Sequence, residues 1–138
     1  MSDTQLADTS TPLGQWVDEL FKNIFFQPND AHSMIVFDAY IAPDLVVRIN
    51  HSLFTRDSWR EATNTVRAGS LLTMDSNDEV AAWQAPGQSG AGCVAHMSHF
   101  TQRSKQDREA TSARSLTLAN VAIREGKRCL VELTEIAT

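Results

Sequence analysis

Five side chains have the right type and setting to move a proton or to hold a developing oxyanion: His51, Asp38, Glu135, Asn120 and Tyr40. His51 ends the alternating run Val47, Ile49, His51, which makes it a polar residue at the open end of an apolar strand face. An imidazole there titrates near neutrality and can act as a general acid or base. Glu135 follows Cys129, Val131 and Leu133 in one strand phase, and apolar neighbours would raise its pKa and suit it to shuttling protons. Asp38 lies among Phe37, Ala39, Tyr40 and Ile41, a stretch in which an acid either faces solvent or has a partner. Tyr40 can donate through its hydroxyl while its ring packs. Asn120, in phase with Leu116 and Leu118, is a neutral donor suited to a carbonyl or enolate oxygen. Each has a plainer reading beside this one. They are a rim imidazole in water, a salt-bridged surface Glu135, a solvated Asp38, a core Tyr40, and an Asn120 bonded to backbone near a strand end.

Two further histidines compete for one inward position. Cys93, Ala95, Met97 and His99 share one strand phase, and Val94, His96, Ser98 and Phe100 share the other. Either His96 or His99 points inward, but not both, and a pair at this spacing on a strand is a poor metal site. Cys93 and Cys129 form neither a CxxC nor a disulfide framework and read as small core thiols in a reducing compartment. No GxSxG elbow, P-loop or GxGxxG occurs, so serine-hydrolase, nucleotide and dinucleotide chemistry lack their usual signals. The expectation is a site without metal or organic cofactor.

The elements that must position these residues follow from periodicity. Thr11-Pro12 offers a cap and a first-turn proline, and Leu13, Trp16, Val17, Leu20, Phe21 and Ile24 form a helical stripe that ends by Pro28. Asn29 or Asp30 caps a second helix to about Ile41, which Pro43 stops. A strand runs over Leu45–His51, and Thr55 caps a third helix with Trp59, Ala62, Thr63 and Val66 on one face, closed by Gly69. Strands are then expected at about 71–84, 92–103, 110–123 and 128–137. Such an antiparallel meander has one face to cover, and three helices can cover it. Residues 1–10 read as a loose tail.

The bulk properties narrow the function class. With 138 residues the chain suits one domain, and 42% hydrophobic with 21% charged residues is ordinary for a folded protein. A net charge of −5 repels phosphate backbones and anionic lipid, so no nucleic-acid or membrane partner is expected. The polar, acidic first ten residues are opposite in character to a signal peptide, and no apolar run approaches the roughly 20 residues a membrane span needs. A cytoplasmic protein is expected.

The element order and several phrases resemble the nuclear-transport-factor-2-like superfamily, and within it the SnoaL-like polyketide cyclases and related isomerases. The phrases are Ala42-Pro43-Asp44-Leu45-Val46-Val47-Arg48-Ile49-Asn50, then Phe54-Thr55-Arg56-Asp57-Ser58-Trp59. The hairpin Val121-Ala122-Ile123-Arg124-Glu125-Gly126-Lys127 with Leu130-Val131-Glu132-Leu133 completes them. The resemblance implies an α+β domain over residues 11–138, with a strongly curved, mixed but mostly antiparallel sheet forming a cone under three N-terminal helices. It also implies metal-free acid–base chemistry by one carboxylate or histidine inside the cone. Where ketosteroid isomerases carry their base this sequence has Ile49, and where they carry a protonated acid it has Leu118, which argues against that mechanism. The family pattern turns the Leu116, Leu118, Asn120 face inward, and the expected pocket wall is Trp16, Phe21, Trp59, His99, Leu116 and Leu118. The expected function is a cofactor-independent isomerase or cyclase on a hydrophobic polyketide or terpenoid-type ketone in secondary metabolism. A dehydratase, or a non-catalytic binding or dimerisation module, is the alternative. A homodimer is expected through an outer sheet face carrying Val94, Phe100 or Ile136.

Overall fold

The computed structural model describes residues 10–138, so all of the expected tail but Ser10 lies outside the described residues. Helix α1 (Pro12–Phe25) begins where Thr11 Oγ1 accepts from Gly14 N at 3.0 Å, with proline in the first turn. Its Leu13, Val17, Leu20 and Ile24 are buried. Helix α2 (Asp30–Tyr40) starts from Asn29, whose side chain accepts from His32 N at 3.0 Å. Helix α3 (Arg56–Gly69) carries a reciprocal capping box between Thr55 and Ser58, and it includes Gly69 where the sequence suggests a stop.

Arg67 fixes α3 to the end of α1. Its guanidinium is buried, and each of its three nitrogens donates, to Asp30 Oδ1, Ile24 O and Gln27 O at 2.8, 2.9 and 2.8 Å. Two of those acceptors, Ile24 and Gln27, lie at or just past the C-terminal turn of α1, whose last carbonyls have no partner within the helix. Gly14 lets the first turn of α1 approach strand residue Glu79. A Cβ there would collide with the Glu79 carboxylate, which accepts from Thr11 N and Thr11 Oγ1 at 3.0 and 3.1 Å. An anion at a helix N-terminus is favoured by the aligned peptide dipoles.

Strand β1 (Ile41–Ile49) follows α2 without a loop, so it starts earlier than the sequence suggests, and Pro43 lies within it. The register against its partner shifts between Ile41 and Val46, which accommodates a residue that cannot donate to the ladder. The chain then turns at Asn50-His51 and returns as β2 (Ser52–Thr55), a short strand not anticipated from sequence. Asn50 takes φ 53°, a conformation asparagine tolerates. Strands β3 (Ser70–Gln84), β4 (Gly92–Ser104), β5 (Ala110–Arg124) and β6 (Lys127–Ala137) form the meander, within a residue of the expected bounds.

The sheet order is β2-β1-β6-β5-β4-β3, antiparallel throughout except that β1 runs parallel to β6. The domain is therefore α+β, with a six-stranded mixed sheet and three helices on one face. Helix residues Val17, Ile24, Phe37 and Trp59 pack with Val47, Val94, Val121 and Leu133 from that face. Each such side chain contributes about 1.5–3 kcal/mol through removal from water. Among the described residues no helix is long and apolar enough to cross a membrane.

The strand phases correct several expectations. On β5 the covered face carries Ser115, Thr117, Ala119 and Val121, whereas Leu116 and Leu118 are exposed on the outer face. On β4 Val94, His96, Ser98 and Phe100 turn inward, leaving His99 outside. Val94 and Phe100 therefore belong to the interior, and of the three residues expected to mark an outer contact face only Ile136 is exposed.

Candidate functional site

Between the helices and the concave sheet face lies a cavity of about 330 Å³. Such a volume sits at the small end of the ~300–1,000 Å³ typical of ligand sites. Phe21, Phe25 and Phe26 come from the last turns of α1 and its cap, and Trp59, Ala62 and Val66 from α3. Ile49, Phe54, Leu72, Met74, Phe100 and Leu133 come from the sheet. The rings interlock: Phe25 lies 5.8 Å from Trp59, and Phe26 lies 5.9 Å from Phe100, centroid to centroid.

Into this apolar lining project one carboxylate and a set of hydroxyls. Among the described residues Glu135 is the only ionisable one in the lining, and its pKa is raised because burial penalises the charged form. It stands directly across the strand pair from Thr117, which stands opposite His96 in turn. Ser115 and Ser98 form the next opposed pair. Directly opposed residues on a sheet face bring their Cβ atoms to about 4.5–5.5 Å, so Glu135 and the Thr117 hydroxyl share one small region. Among the described residues Thr117 Oγ1 has no hydrogen-bond partner, and neither has Thr63 Oγ1, which enters from α3.

Behind the hydroxyls runs a polar link to α1. Ser98 Oγ donates to Asn77 Oδ1 at 2.7 Å, and Asn77 Nδ2 donates to Asp18 Oδ1 at 2.5 Å. The same Asp18 oxygen lies 3.0 Å from His96 Nε2, without the alignment of a hydrogen bond. His96 is buried but is not part of the cavity wall.

Of the residues the sequence singles out, Glu135, Phe21 and Trp59 reach the cavity. His51 does not: it is exposed in the β1–β2 turn, because the strand ends at Ile49. Asp38 is exposed and held by Arg60, which donates from Nε and Nη2 at 2.8 and 2.9 Å. The Arg60 hydrogen bonds keep its pKa below the usual carboxylate value. Tyr40 ends α2 partly exposed, with Trp16 at 6.0 Å and the Lys127 ammonium 4.9 Å from its ring centre. Trp16 packs there too, outside the cavity lining, under Arg128. Asn120 shares the outer phase of β5 and accepts from Cys93 Sγ at 3.5 Å. Leu116, Leu118 and His99 are likewise on the outer face, where His99 Nδ1 contacts Ser76 Oγ at 3.1 Å. Thr117, Ser115, Ser98, Gln102 and Thr63 are the cavity's polar groups that sequence reasoning missed. A signal existed in β5, where two hydroxyl residues alternate with two leucines, but it reads equally as a solvated face. Among the described residues no three His, Cys, Asp or Glu side chains converge as a metal site would require.

No protein-family model matches the chain, and no curated protein does. Solved structures do. A proposed SnoaL-like polyketide cyclase from Shewanella denitrificans superposes with a TM-score of 0.66 at 12% identity, over 93% of this chain and 92% of that one. A nuclear transport factor 2 (NTF2-like) superfamily protein from Salmonella enterica gives 0.66 at 11% identity, over 89% of each chain. A ketosteroid isomerase-like protein from Erwinia carotovora gives 0.60 at 15% identity, over 74% of this chain and 78% of that one. The chain has the NTF2-like fold, shared with SnoaL-like and ketosteroid isomerase-like proteins.

Proposed function

We propose that this protein is a cofactor-independent isomerase or cyclase that moves a proton on a small hydrophobic ketone, with Glu135 as the group that carries it. The observation that supports this most is a lone, desolvated carboxylate in an apolar cavity, set opposite an unbonded hydroxyl. A raised pKa brings a carboxylic acid nearer the operating pH, where it serves both as base and as returning acid. In the forward step the Glu135 carboxylate takes a proton from carbon next to the ketone. The electron pair of that C–H bond moves into the new C=C bond, and the carbonyl pair moves to oxygen. Thr117 donates its hydroxyl hydrogen to the oxyanion, an interaction that strengthens as charge develops. Where the ketone is conjugated with a C=C bond, the protonated Glu135 returns the proton to the far carbon of the dienolate; alternatively the enolate carbon attacks a second carbonyl, closing a ring, and Glu135 gives its proton to the alkoxide so formed.

The outer face supplies a second element of the proposal. Met97, Leu116 and Ile136 stand side by side across β4, β5 and β6, next to the pair Ala95 and Leu118. An exposed apolar patch of this kind marks a contact surface, and a self-complementary patch on one chain suits a homodimer.

The test is hydrogen–deuterium exchange of β-tetralone next to its carbonyl, followed by proton NMR in D2O. The protein should accelerate exchange above the buffer rate, and Glu135→Gln should lose at least about 100-fold of that acceleration while retaining its circular dichroism. Unaltered exchange in a folded Glu135→Gln would end the assignment. Binding of β-tetralone with no exchange would instead indicate a module that holds its ligand without turnover.

A further inference from the structure

The two unbonded hydroxyls lie on opposite walls. Thr117 belongs to the sheet and Thr63 to α3; both line the cavity, and they are only 5% and 2% exposed. A buried hydroxyl without a partner is unfavourable, and a threonine in a helix has an easy remedy in the carbonyl four residues back. Thr65, two residues further along α3, takes it, donating to Glu61 O at 3.1 Å. Thr63 does not. Ser98, on the sheet wall, is satisfied by Asn77. Among the described residues, the buried lining hydroxyls without a partner are thus two, one on each wall, beside the more accessible Ser115 hydroxyl and Gln102 amide of the same lining. Among the described residues the lining holds no lysine, arginine or histidine, so an anionic ligand would meet Glu135 without a compensating charge from them. A volume of about 330 Å³ is sufficient for a ligand of one or two rings.

We infer that the cavity takes a neutral mono- or bicyclic ligand with oxygen functions at both ends, a carbonyl at Thr117 and Glu135 and a second hydroxyl or carbonyl read by Thr63. The identity of the reacting end rests on the function proposed above. The reading of the distal oxygen by Thr63 rests on the hydroxyl itself. Thr63 is then a specificity residue rather than a catalytic one, and its loss changes which ketone is bound, not how a proton moves.

The experiment compares β-tetralone with its phenolic analogue, which carries a hydroxyl on the ring remote from the ketone, by calorimetric titration. The wild-type protein should bind the phenolic analogue at least about tenfold more tightly. Thr63→Val, which keeps the shape and removes the hydroxyl, should reduce that preference to about twofold or less, and Thr63→Ser should keep it. Without ligand, Thr63→Val should melt at or above the wild-type temperature, because it removes an unbonded group. Equal binding of the two probes by the wild type overturns the inference, as does binding of neither. So does a Thr63→Val variant that melts lower and weakens both probes alike, since the hydroxyl would then be holding structure. Deuterium exchange separates the two claims. A tenfold preference that persists while exchange ignores Glu135 sinks the catalytic reading alone, and exchange that needs Glu135 with no preference sinks this one alone.

Discussion

Alternate residues of β5 have opposite fates. Ser115 and Thr117 turn into the cone, while Leu116 and Leu118 turn out of it, with Leu118 52% exposed and Thr117 5%. The neighbouring strands continue the contrast, with Ser98 and Glu135 inside and Met97 and Ile136 outside. A strand whose only task was packing would carry the reverse pattern. The inversion teaches that neither face of this stretch is arranged for the chain's own core, which is the basis of the two proposals above: a polar ligand on the concave side and a second protein surface on the convex side. Elsewhere the sheet is conventional, and Val94, Ala119, Val121 and Leu133 form an ordinary apolar floor.

The largest effect of a substitution is expected at Glu135, through both rate and pH. Its folded pKa lies above the ordinary 4.5, so the folded protein keeps this proton over a range where the unfolded chain has released it. Its stabilising contribution is complete below about 4.5 and is lost as pH rises through the folded pKa. Melting curves across that range should therefore show the wild type losing stability relative to Glu135→Gln, while the exchange rate rises over the same interval as the base ionises. A constant gap between the two proteins would mean that the carboxylate is not desolvated.

Leu118→Lys tests the convex face. A charge in an apolar contact is left unpaired, which costs several kcal/mol and should shift the protein to monomer in sedimentation. Exchange activity should survive. A Leu118→Lys protein that sediments like the wild type would remove the case for a dimer through this surface. Thr117→Val is expected to act more gently on the fold and more sharply on the reaction. Removing an unbonded hydroxyl should leave the ligand-free protein as stable or about 1 kcal/mol more so, roughly 3 °C in melting temperature. Exchange should fall about tenfold or more with loss of the oxyanion donor. The smallest effect belongs to Asp38→Asn. The pair with Arg60 is about half exposed and screened, so the expected cost is about 0.5 kcal/mol or less, with no change in exchange.

The sequence is explicit about elements and ambiguous about faces, for a physical reason. Caps such as Thr11, Asn29 and Thr55, and the stripe Leu13, Val17, Leu20, Ile24, report local geometry, and α1, α3 and the four meander strands lie close to where they are expected. The phase of a strand is a collective property, and a one-residue slip exchanges its two faces. On β4 the two phases are nearly equal in apolar content, and only the packed structure separates His96 from His99. On β5 the apolar phase points outward, so the family pattern, which turns Leu116, Leu118 and Asn120 inward, assigns them to the wrong face. The β2 hairpin was hidden for a different reason: its turn is Asn50-His51, without the glycine that usually marks a two-residue connection. Glu135 was legible because its neighbours Val131 and Leu133 share its phase on a strand whose inner side is apolar.

The parallel contact between β1 and β6 has a consequence for how the protein comes to exist. The hairpins β3–β4, β4–β5 and β5–β6 close between neighbours in the chain, whereas Asn50 reaches Ala137 across 87 residues. Loop-closure entropy makes such a pairing the slow one. Ile49 and Phe54, which wall the cavity beside Glu135, arrive with it. A nascent chain with its meander complete but β1 still searching would hold Glu135 in water, titrating as any surface glutamate does. The tuned acid is thus the last product of folding, and a refolding trace read through its proton uptake should lag behind one read through the meander's own strands.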